Sequence, residues 1–126
     1  MLGTWYPDEN IVLAAHDAML KQFGGYPGFE TGMDVFKVVL EEAKETKGSY
    51  RKAAVFLKRL VEVRIFCDGN HRTAYLVTDM FLRLNGETIK IEDQRKVIRF
   101  IKDIRQYNID EIEAWLKNGE TTERPD

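Results

Sequence analysis

The sequence predicts an all-α, single-domain protein: a compact helical bundle of about six helices, with at most a short strand or hairpin. Three observations support this fold class. Apolar residues recur at intervals of three and four along most of the chain. Ser, Asp or Asn precedes most of these segments, and Gly or an Asn-Gly pair often follows, as is typical of helix starts and ends. The 126 residues make up one domain, and a hydrophobic content of 44% suffices for a core.

Two helices are predicted in the first part of the chain. The first begins near Asp8 or Asn10 and ends at Gly24-Gly25, where a turn at residues 26–28 follows. The second is capped by Asp34 and stops at residues 47–48. The inward-facing residues are Val12, Ala15, Met19 and Phe23 in the first helix and Val35, Val38, Val39 and Ala43 in the second.

The third and fourth helices form the predicted centre of the bundle. Ser49 caps a long helix that is apolar around most of its circumference, as expected of a helix surrounded by others. Residues 66–69, which we call the motif loop, interrupt it, and Asn70 begins a helix that ends at residues 85–86. The apolar positions are Ala53, Ala54, Val55, Phe56, Leu57, Leu60, Val61 and Val63, then Ala74, Val77, Met80, Phe81 and Leu84.

The last third of the chain predicts two shorter helices. Residues 87–91 alternate between polar and apolar, which indicates a short strand or an extended edge. Asp93 and Asp110 are the predicted caps of the fifth and sixth helices. Their inward-facing residues are Val97, Ile98, Ile101 and Ile104, then Ile112, Trp115 and Leu116. We therefore predict a domain at residues 1–119 and a frayed tail at 120–126.

Charge and hydropathy argue against several classes of protein. Nineteen Lys and Arg face 21 Asp and Glu, so the strong positive field of nucleic-acid and membrane-surface binders is missing. No apolar run approaches the roughly 20 residues needed to cross a bilayer, and the first residues do not resemble a signal peptide. The basic segment at residues 95–102 is interleaved with apolar residues, which favours a packed surface helix. We expect a cytoplasmic protein that binds neither nucleic acid nor membrane.

The motif loop carries unusually many polar groups for a joint between two core helices. A purely structural interpretation is available: Gly69 forms a turn, Asn70 caps the helix, Asp68 complements the helix dipole, and Phe66 fills the core. Joints of this kind are common, so spacing alone favours this interpretation.

The chemistry of the same residues predicts an anion site. The unpaired N–H groups of a helix N-terminus bind anions, and a preceding glycine allows close approach. Arg72 lies in the first turn, where it opposes the helix dipole unless a bound anion accepts its hydrogen bonds. Asp68 offers the oxygen that Mg²⁺ takes when it bridges phosphates. We therefore predict phosphate binding by Gly69, Asn70, His71 and Arg72, and a metal ligand at Asp68.

The segment Phe66-Cys-Asp68-Gly69-Asn70-His-Arg72-Thr73-Ala74 resembles the signature of the Fic/Doc (Fido) superfamily, His-x-Phe-x-acidic-Gly/Ala-Asn-x-Arg. The Arg-Thr-Ala ending is similar to that of the Doc (death-on-curing) toxin branch. The segments at residues 16–17, 23–28 and 81–86 also resemble Doc-type toxins, so the likeness extends over most of the domain.

This resemblance implies a helical domain that binds ATP with Mg²⁺ and modifies a Ser, Thr or Tyr hydroxyl of a target protein. Fic enzymes mostly transfer AMP, whereas Doc-type toxins transfer phosphate to a translation elongation factor and usually pair with an antitoxin. In that pattern Asp68 holds Mg²⁺, Gly69 and Asn70 form the anion nest, and Arg72 grips the phosphates. His71 occupies a position that faces phosphate in such proteins.

Arg64 departs from the pattern, because the family has its general base, a histidine, at this position. A guanidinium remains protonated and cannot accept the proton of an attacking hydroxyl. General-base help is worth about 10²- to 10⁴-fold, so we expect transfer to be absent or severely impaired. Three interpretations stay open: a natural relative that has lost transfer, an inactivated copy of a toxin, or a base role taken over by His71. The alternative function is a binding module, or pseudoenzyme, acting through protein partners.

Overall fold

The computed structural model describes residues 3–91 and 93–119, and these form six α-helices and two short 3-10 helices. The all-α fold and the number of helices are as predicted; the tail at residues 120–126 lies outside the described residues. The α-helices are α1 (Glu9–Phe23), α2 (Phe36–Glu45), α3 (Ser49–Glu62), α4 (Asn70–Leu84), α5 (Gln94–Lys102) and α6 (Ile109–Asn118). The 3-10 helices are Met33–Val35 and Ile104–Gln106.

Helix α3 lies in the middle of the bundle, where it packs against α2, α4 and α6. Its apolar residues cover most of its circumference, so a position at the edge would leave part of that surface in water. The prediction of a central helix is confirmed. The buried residues of α3 are Ala53, Ala54, Val55, Phe56, Leu57, Leu60 and Val61.

Helices α1 and α4 pack against each other, which brings two distant parts of the chain together. The N-terminus of α4 follows directly on the motif loop, and the C-terminus of α1 leads into residues 24–32. An isolated antiparallel bridge pairs Phe29 with Phe66, so residues 24–32 run alongside the motif loop. This packing creates the surroundings of the motif loop.

Four apolar residues that the periodicity places inward are exposed instead: Phe23 (51%), Val38 (70%), Leu84 (58%) and Ile98 (67%). Each lies at the side or end of an otherwise buried stripe. A repeat of 3.6 residues leaves two or three neighbouring positions equally plausible as the inward one, and only the packing partner decides between them. Phe36, Leu82 and Phe100 are buried in these helices.

The predicted helix caps are partly wrong. Asp8 and Asp93 cap α1 and α5 by accepting the backbone N–H of Ile11 and Arg95, each at 2.9 Å. The other predicted caps, Asp34, Ser49, Asn70 and Asp110, do not act as N-caps.

Helix α4 starts at Asn70, as predicted, although its N-cap is Gly69, and the other three helices start at residues other than the predicted ones. Asp34 lies inside a 3-10 helix, and α3 begins at Ser49 itself, after Gly48. Helix α6 is capped by Asn108, which forms a reciprocal capping box with Glu111. A polar residue near a helix start is a candidate cap, but the first helical residue is set by packing, which shifts the cap by one or two positions.

Of the two alternatives predicted for residues 87–91, a short strand or an extended edge, the strand does not form. These residues are tied down by single hydrogen bonds: the Lys90 N–H donates to the Leu116 carbonyl at 3.1 Å, and the Tyr50 hydroxyl donates to the Thr88 carbonyl at 2.6 Å. An alternating pattern needs a neighbouring strand to become a ladder, and the described part of the chain contains none. Nor does the described part contain a helix long and apolar enough to span a membrane.

Candidate functional site

Phe66 anchors the motif loop between aromatic rings. The ring of His16, from α1, stacks on it at a centroid distance of 3.6 Å and an interplanar angle of 3°, and Phe29 lies at 5.6 Å. Phe66 is only 3% exposed. The rings of His16 and Phe66 therefore form a buried stack, as expected of a residue that fills the core, whereas Phe29 is exposed.

The side-chain amide of Asn70 is used within the loop. Its Nδ2 donates to the Phe66 carbonyl at 2.6 Å, and its Oδ1 accepts the Phe66 N–H at 3.1 Å. The N-cap of α4 is Gly69, whose backbone is left-handed at φ 76°. The sequence suggested that Asn70 caps the helix or binds phosphate, whereas its side chain orients the loop instead. Its backbone N–H has no acceptor among the described residues.

Asp68 is an ionised carboxylate held by two backbone N–H groups. Its Oδ2 accepts from Tyr26 at 3.0 Å and its Oδ1 from Gly69 at 2.8 Å. These donors hold the pKa of Asp68 below its ordinary range, the Tyr26 N–H first, then that of Gly69. Gly25 makes the contact possible, because a Cβ there would lie 2.7 Å from Oδ2.

Three backbone N–H groups at the N-terminus of α4 have no acceptor among the residues that the structure describes. The Gly69 N–H is taken by Asp68, and the Thr73 N–H donates to the Gly69 carbonyl at 3.0 Å. Across residues 3–91 and 93–119, no hydrogen bond uses the backbone N–H of residues 70, 71 or 72. Together with the helix dipole, these groups form a site that favours an anion.

Arg72 lies in the first turn of α4, exposed to solvent. Its guanidinium stands over the ring of Phe23, with Cζ 4.1 Å from the centroid. Such a cation–π contact is worth about 0.5–1 kcal/mol at an exposed site. Phe23 therefore offsets part of the cost of placing the Arg72 cation at the positive end of the helix dipole. Arg72 forms no ion pair with any other described residue, and its charge contributes to the lowered pKa of Asp68.

His71 is half-buried beside two cations. Burial lowers the pKa of His71 below its ordinary value, and the positive charges of Arg105 and Arg64 lower it further. The neutral imidazole is therefore the prevailing form at neutral pH.

Arg64, at the position of the family histidine, is tied to the neighbouring loop. Its Nε lies 2.7 Å from Glu30 Oε2, and its carbonyl accepts the Thr31 N–H at 3.1 Å. Hydrogen bonding to Glu30 raises the pKa of Arg64 further, so the side chain remains charged. Its backbone is left-handed at φ 48°, the only non-glycine residue of the described chain with a positive φ. This side chain acts as a tether, not as a proton acceptor.

A groove of about 790 Å³ opens between α1, α4 and α5, beside the α4 N-terminus. Its walls are largely apolar, and the exposed Phe23 and Ile98 form part of them. Polar side chains at its edge include His71, Arg72 and Lys102. The sequence did not predict this groove, because three helices distant in the chain contribute to it.

The structure brings most of the predicted site residues together. Asp68, Gly69 and the amides of residues 70–72 adjoin one another around the start of α4, whereas the Arg64 guanidinium reaches toward Glu30. Sequence reasoning missed the contributions of His16, Gly25 and Glu30. The likeness at residues 16–17 and 23–28 was the signal that could have indicated the first two.

Comparison with models of known protein families identifies the family of this chain. The model of the Fic/DOC family matches residues 6–82, which is more than half of the chain and includes α1, α2, α3, the motif loop and most of α4. No curated protein matches the chain. All residues of the site described above, other than Arg105 and the α5 wall of the groove, fall within the matched range.

Proposed function

This chain belongs to the Fic/DOC family, and on that premise we propose that it binds ATP with Mg²⁺ at the N-terminus of α4 and is a Doc-like, toxin-type protein with impaired transfer. The observation that carries the proposal is the set of three N–H groups at residues 70–72, which have no acceptor in the described part of the chain and lie next to the ionised Asp68. A helix N-terminus of this kind suits phosphate oxygens.

The residues around the α4 N-terminus have complementary roles in this proposal. In this proposal the N–H groups of residues 70–72 donate hydrogen bonds to phosphate oxygens, and Arg72 leaves the face of Phe23 to donate to them in a bidentate manner. Asp68 fits a single carboxylate ligand of Mg²⁺: each of its oxygens accepts one N–H and keeps lone pairs free. Mg²⁺ that bridges phosphates commonly takes only one or two carboxylates. The nucleotide would supply the phosphorus centre for attack by a Ser, Thr or Tyr hydroxyl of a target protein.

The chain as it stands lacks an efficient base for that hydroxyl. Arg64 is charged and bound to Glu30, so it cannot accept a proton. His71 is neutral, but its ring is half-buried beside Arg64 and Arg105. Without a positioned base, transfer of phosphate or AMP to a target such as a translation elongation factor should be slower by about 10²- to 10⁴-fold.

We also propose that an antitoxin-type partner uses the groove beside the α4 N-terminus. The groove combines apolar walls with the cationic side chains of Arg72 and Lys102, and the carboxylate among its lining residues, Asp79, is paired with Arg83 at 3.0 Å. An amphipathic segment with carboxylates suits such a surface, because apolar burial and charge pairing act together. Bound there, it would lie against Arg72 and restrict access to the phosphate site.

Binding of a non-hydrolysable ATP analogue with Mg²⁺, measured by titration calorimetry, tests the phosphate site. We expect Arg72→Ala to weaken binding about tenfold or more, since a charge-assisted bidentate contact is lost. Arg99→Ala is the matched control: Arg99 is an exposed arginine of α5 that does not line the groove, and its removal should leave the affinity unchanged. Equal affinities of the wild type and Arg72→Ala would contradict the proposal, as would the absence of binding at millimolar analogue.

The second candidate function is a binding module that keeps the fold without nucleotide chemistry, and the Arg64–Glu30 pair favours it. Arg64→His separates the two, because it places a titratable base at the family position. For a disabled transferase we expect nucleotide-dependent labelling of a target protein, or growth arrest in a bacterial host, to appear in Arg64→His. Arg64→Lys, which supplies no base, is the control and should stay silent. If neither form binds ATP, the binding module is the better description.

A further inference from the structure

We infer that His16 is a positioning residue of the motif loop: its Nε2–H holds the Asp68 carbonyl, and its ring supports Phe66. The link to phosphate binding rests on the function proposed above, whereas the positioning of the loop does not. His16 lies on α1, 52 residues before Asp68 in the chain, and is only 6% exposed.

The hydrogen bond to Asp68 determines the tautomer of His16. Its Nε2 lies 2.8 Å from the Asp68 carbonyl oxygen. A carbonyl oxygen can only accept, so Nε2 must carry the proton. In the neutral ring the proton is then on Nε2 and not on Nδ1, a property that can be measured directly.

The same bond orients the start of α4. The Asp68 carbonyl and the Gly69 N–H belong to one planar peptide unit, so holding the oxygen fixes the direction of the N–H. That N–H donates to Asp68 Oδ1 at 2.8 Å. Gly69, at φ 76°, has a wide choice of conformations in the absence of such a restraint. His16 thereby selects the backbone that directs the carboxylate and the first turn of α4.

The ring of His16 also supports the start of the motif loop. It stacks on Phe66 at a centroid distance of 3.6 Å, while its Nε2 reaches the Asp68 carbonyl at 2.8 Å. One side chain thus contacts the first residue of the motif loop and the residue before Gly69. Two substitutions separate the stack from the donor: His16→Phe keeps a flat ring and removes the N–H, whereas His16→Gln keeps an amide N–H donor and removes the ring.

Amide hydrogen exchange in the nucleotide-free protein tests the positioning role. The reporters are the N–H groups of Cys67 and Gly69, which donate to Gly28 and to Asp68. We expect exchange about tenfold faster at these groups in His16→Phe, with partial rescue in His16→Gln and unchanged exchange in α6. Thr78→Val is the matched control, because it removes another buried hydrogen bond, to Ala74 on α4, away from the loop. It should lower thermal stability without faster exchange at the reporters.

A second measurement, the affinity for the ATP analogue with Mg²⁺, tests whether the position of the motif loop affects binding at the phosphate site. We expect His16→Phe to bind about five- to tenfold more weakly than Thr78→Val. If the wild type binds no analogue, the proposed function fails, and the exchange rates still decide the role of His16. Equal reporter exchange in His16→Phe and Thr78→Val overturns the inference.

Should His16→Phe not fold, two other measurements decide the role of His16. The first is the wild-type tautomer, measured by nitrogen NMR, and a proton on Nδ1 overturns the inference. The second compares His16→Gln, which keeps a donor, with His16→Leu, which has none: equally slow exchange at the Gly69 N–H in both variants overturns the inference as well.

Discussion

Arg64 combines a left-handed backbone with an ion pair to Glu30, and the two features have opposite effects on stability. A non-glycine residue in the left-handed region costs roughly 1–2 kcal/mol. The ion pair is partly exposed, at 41% and 47% for the two side chains, and such pairs contribute about 0–1 kcal/mol. The ion pair with Glu30 therefore offsets only part of the free-energy cost of the left-handed backbone at Arg64.

This strain predicts an unusual order of stability for two Arg64 variants. Both Arg64→Ala and Arg64→Gly lose the ion pair, but only glycine adopts φ 48° without a Cβ clash. We expect Arg64→Gly to unfold with a free energy about 1 kcal/mol higher than Arg64→Ala in urea denaturation. Ala18→Gly, at an exposed position inside α1, is the control and should instead lose about 1 kcal/mol. An Arg64→Ala variant as stable as Arg64→Gly would show that the backbone is unstrained.

Helix α6 depends on a cap that the sequence analysis placed two residues too late. Asn108 accepts the Glu111 N–H at 2.9 Å, and Glu111 accepts the Asn108 N–H at 3.0 Å. This reciprocal pair satisfies two backbone donors that would otherwise lack partners at the helix start. The predicted cap, Asp110, lies inside the first turn and pairs with Arg51.

The capping box yields a prediction for the stability of this element. Asn108→Ala should lower the free energy of unfolding by about 1 kcal/mol, since the helix loses its N-terminal acceptor. Asp34→Ala is the matched comparison: Asp34 was predicted to cap α2, but no side-chain cap is present there, so the loss should stay within about 0.5 kcal/mol. Urea denaturation of both variants measures the difference, and equal losses would argue against the assigned caps.

The whole molecule is organised around α3, which contacts α2, α4 and α6. Helices α1 and α5 complete the assembly at α4, and the groove lies where these three helices meet. The candidate site is therefore built on a well-packed central pair, α3 and α4, and is bordered by α1 and α5. Rigid support of this kind is what a phosphate site of fixed amides requires.

A central position for α3 predicts that truncation of its core side chains is costly. Leu57 is fully buried, and Leu57→Ala should lower the free energy of unfolding by about 2–5 kcal/mol. That is a large part of the 5–15 kcal/mol typical of a domain of this size. Val38→Ala, at a position that periodicity assigned to the core but that is 70% exposed, should change stability by less than about 0.5 kcal/mol. A similar loss for both variants in chemical denaturation would place the core elsewhere.

Much of the candidate site was predictable from the sequence because its parts are neighbours in the chain. The motif loop and the first turn of α4 occupy consecutive residues, so the glycine, the carboxylate and the amides come together once the helix forms. The absence of a base at Arg64 also follows from residue chemistry alone. The partners that hold this loop, His16 and Glu30, lie 52 and 34 residues from the groups they contact, and spacing cannot predict such pairs.

The sequence by itself determined the six helices, the central place of α3 and the polar loop at the start of α4, because helical periodicity and end signals act over a few residues. The tertiary structure alone decided that the Asn70 side chain serves the loop, that Arg64 is tied to Glu30, and that Phe23 and Ile98 border a groove. Those outcomes depend on how each helix is rotated about its axis and on which helices it approaches. Local sequence leaves several faces of a helix with nearly equal energy when turned inward, so packing over the whole chain decides which face is buried.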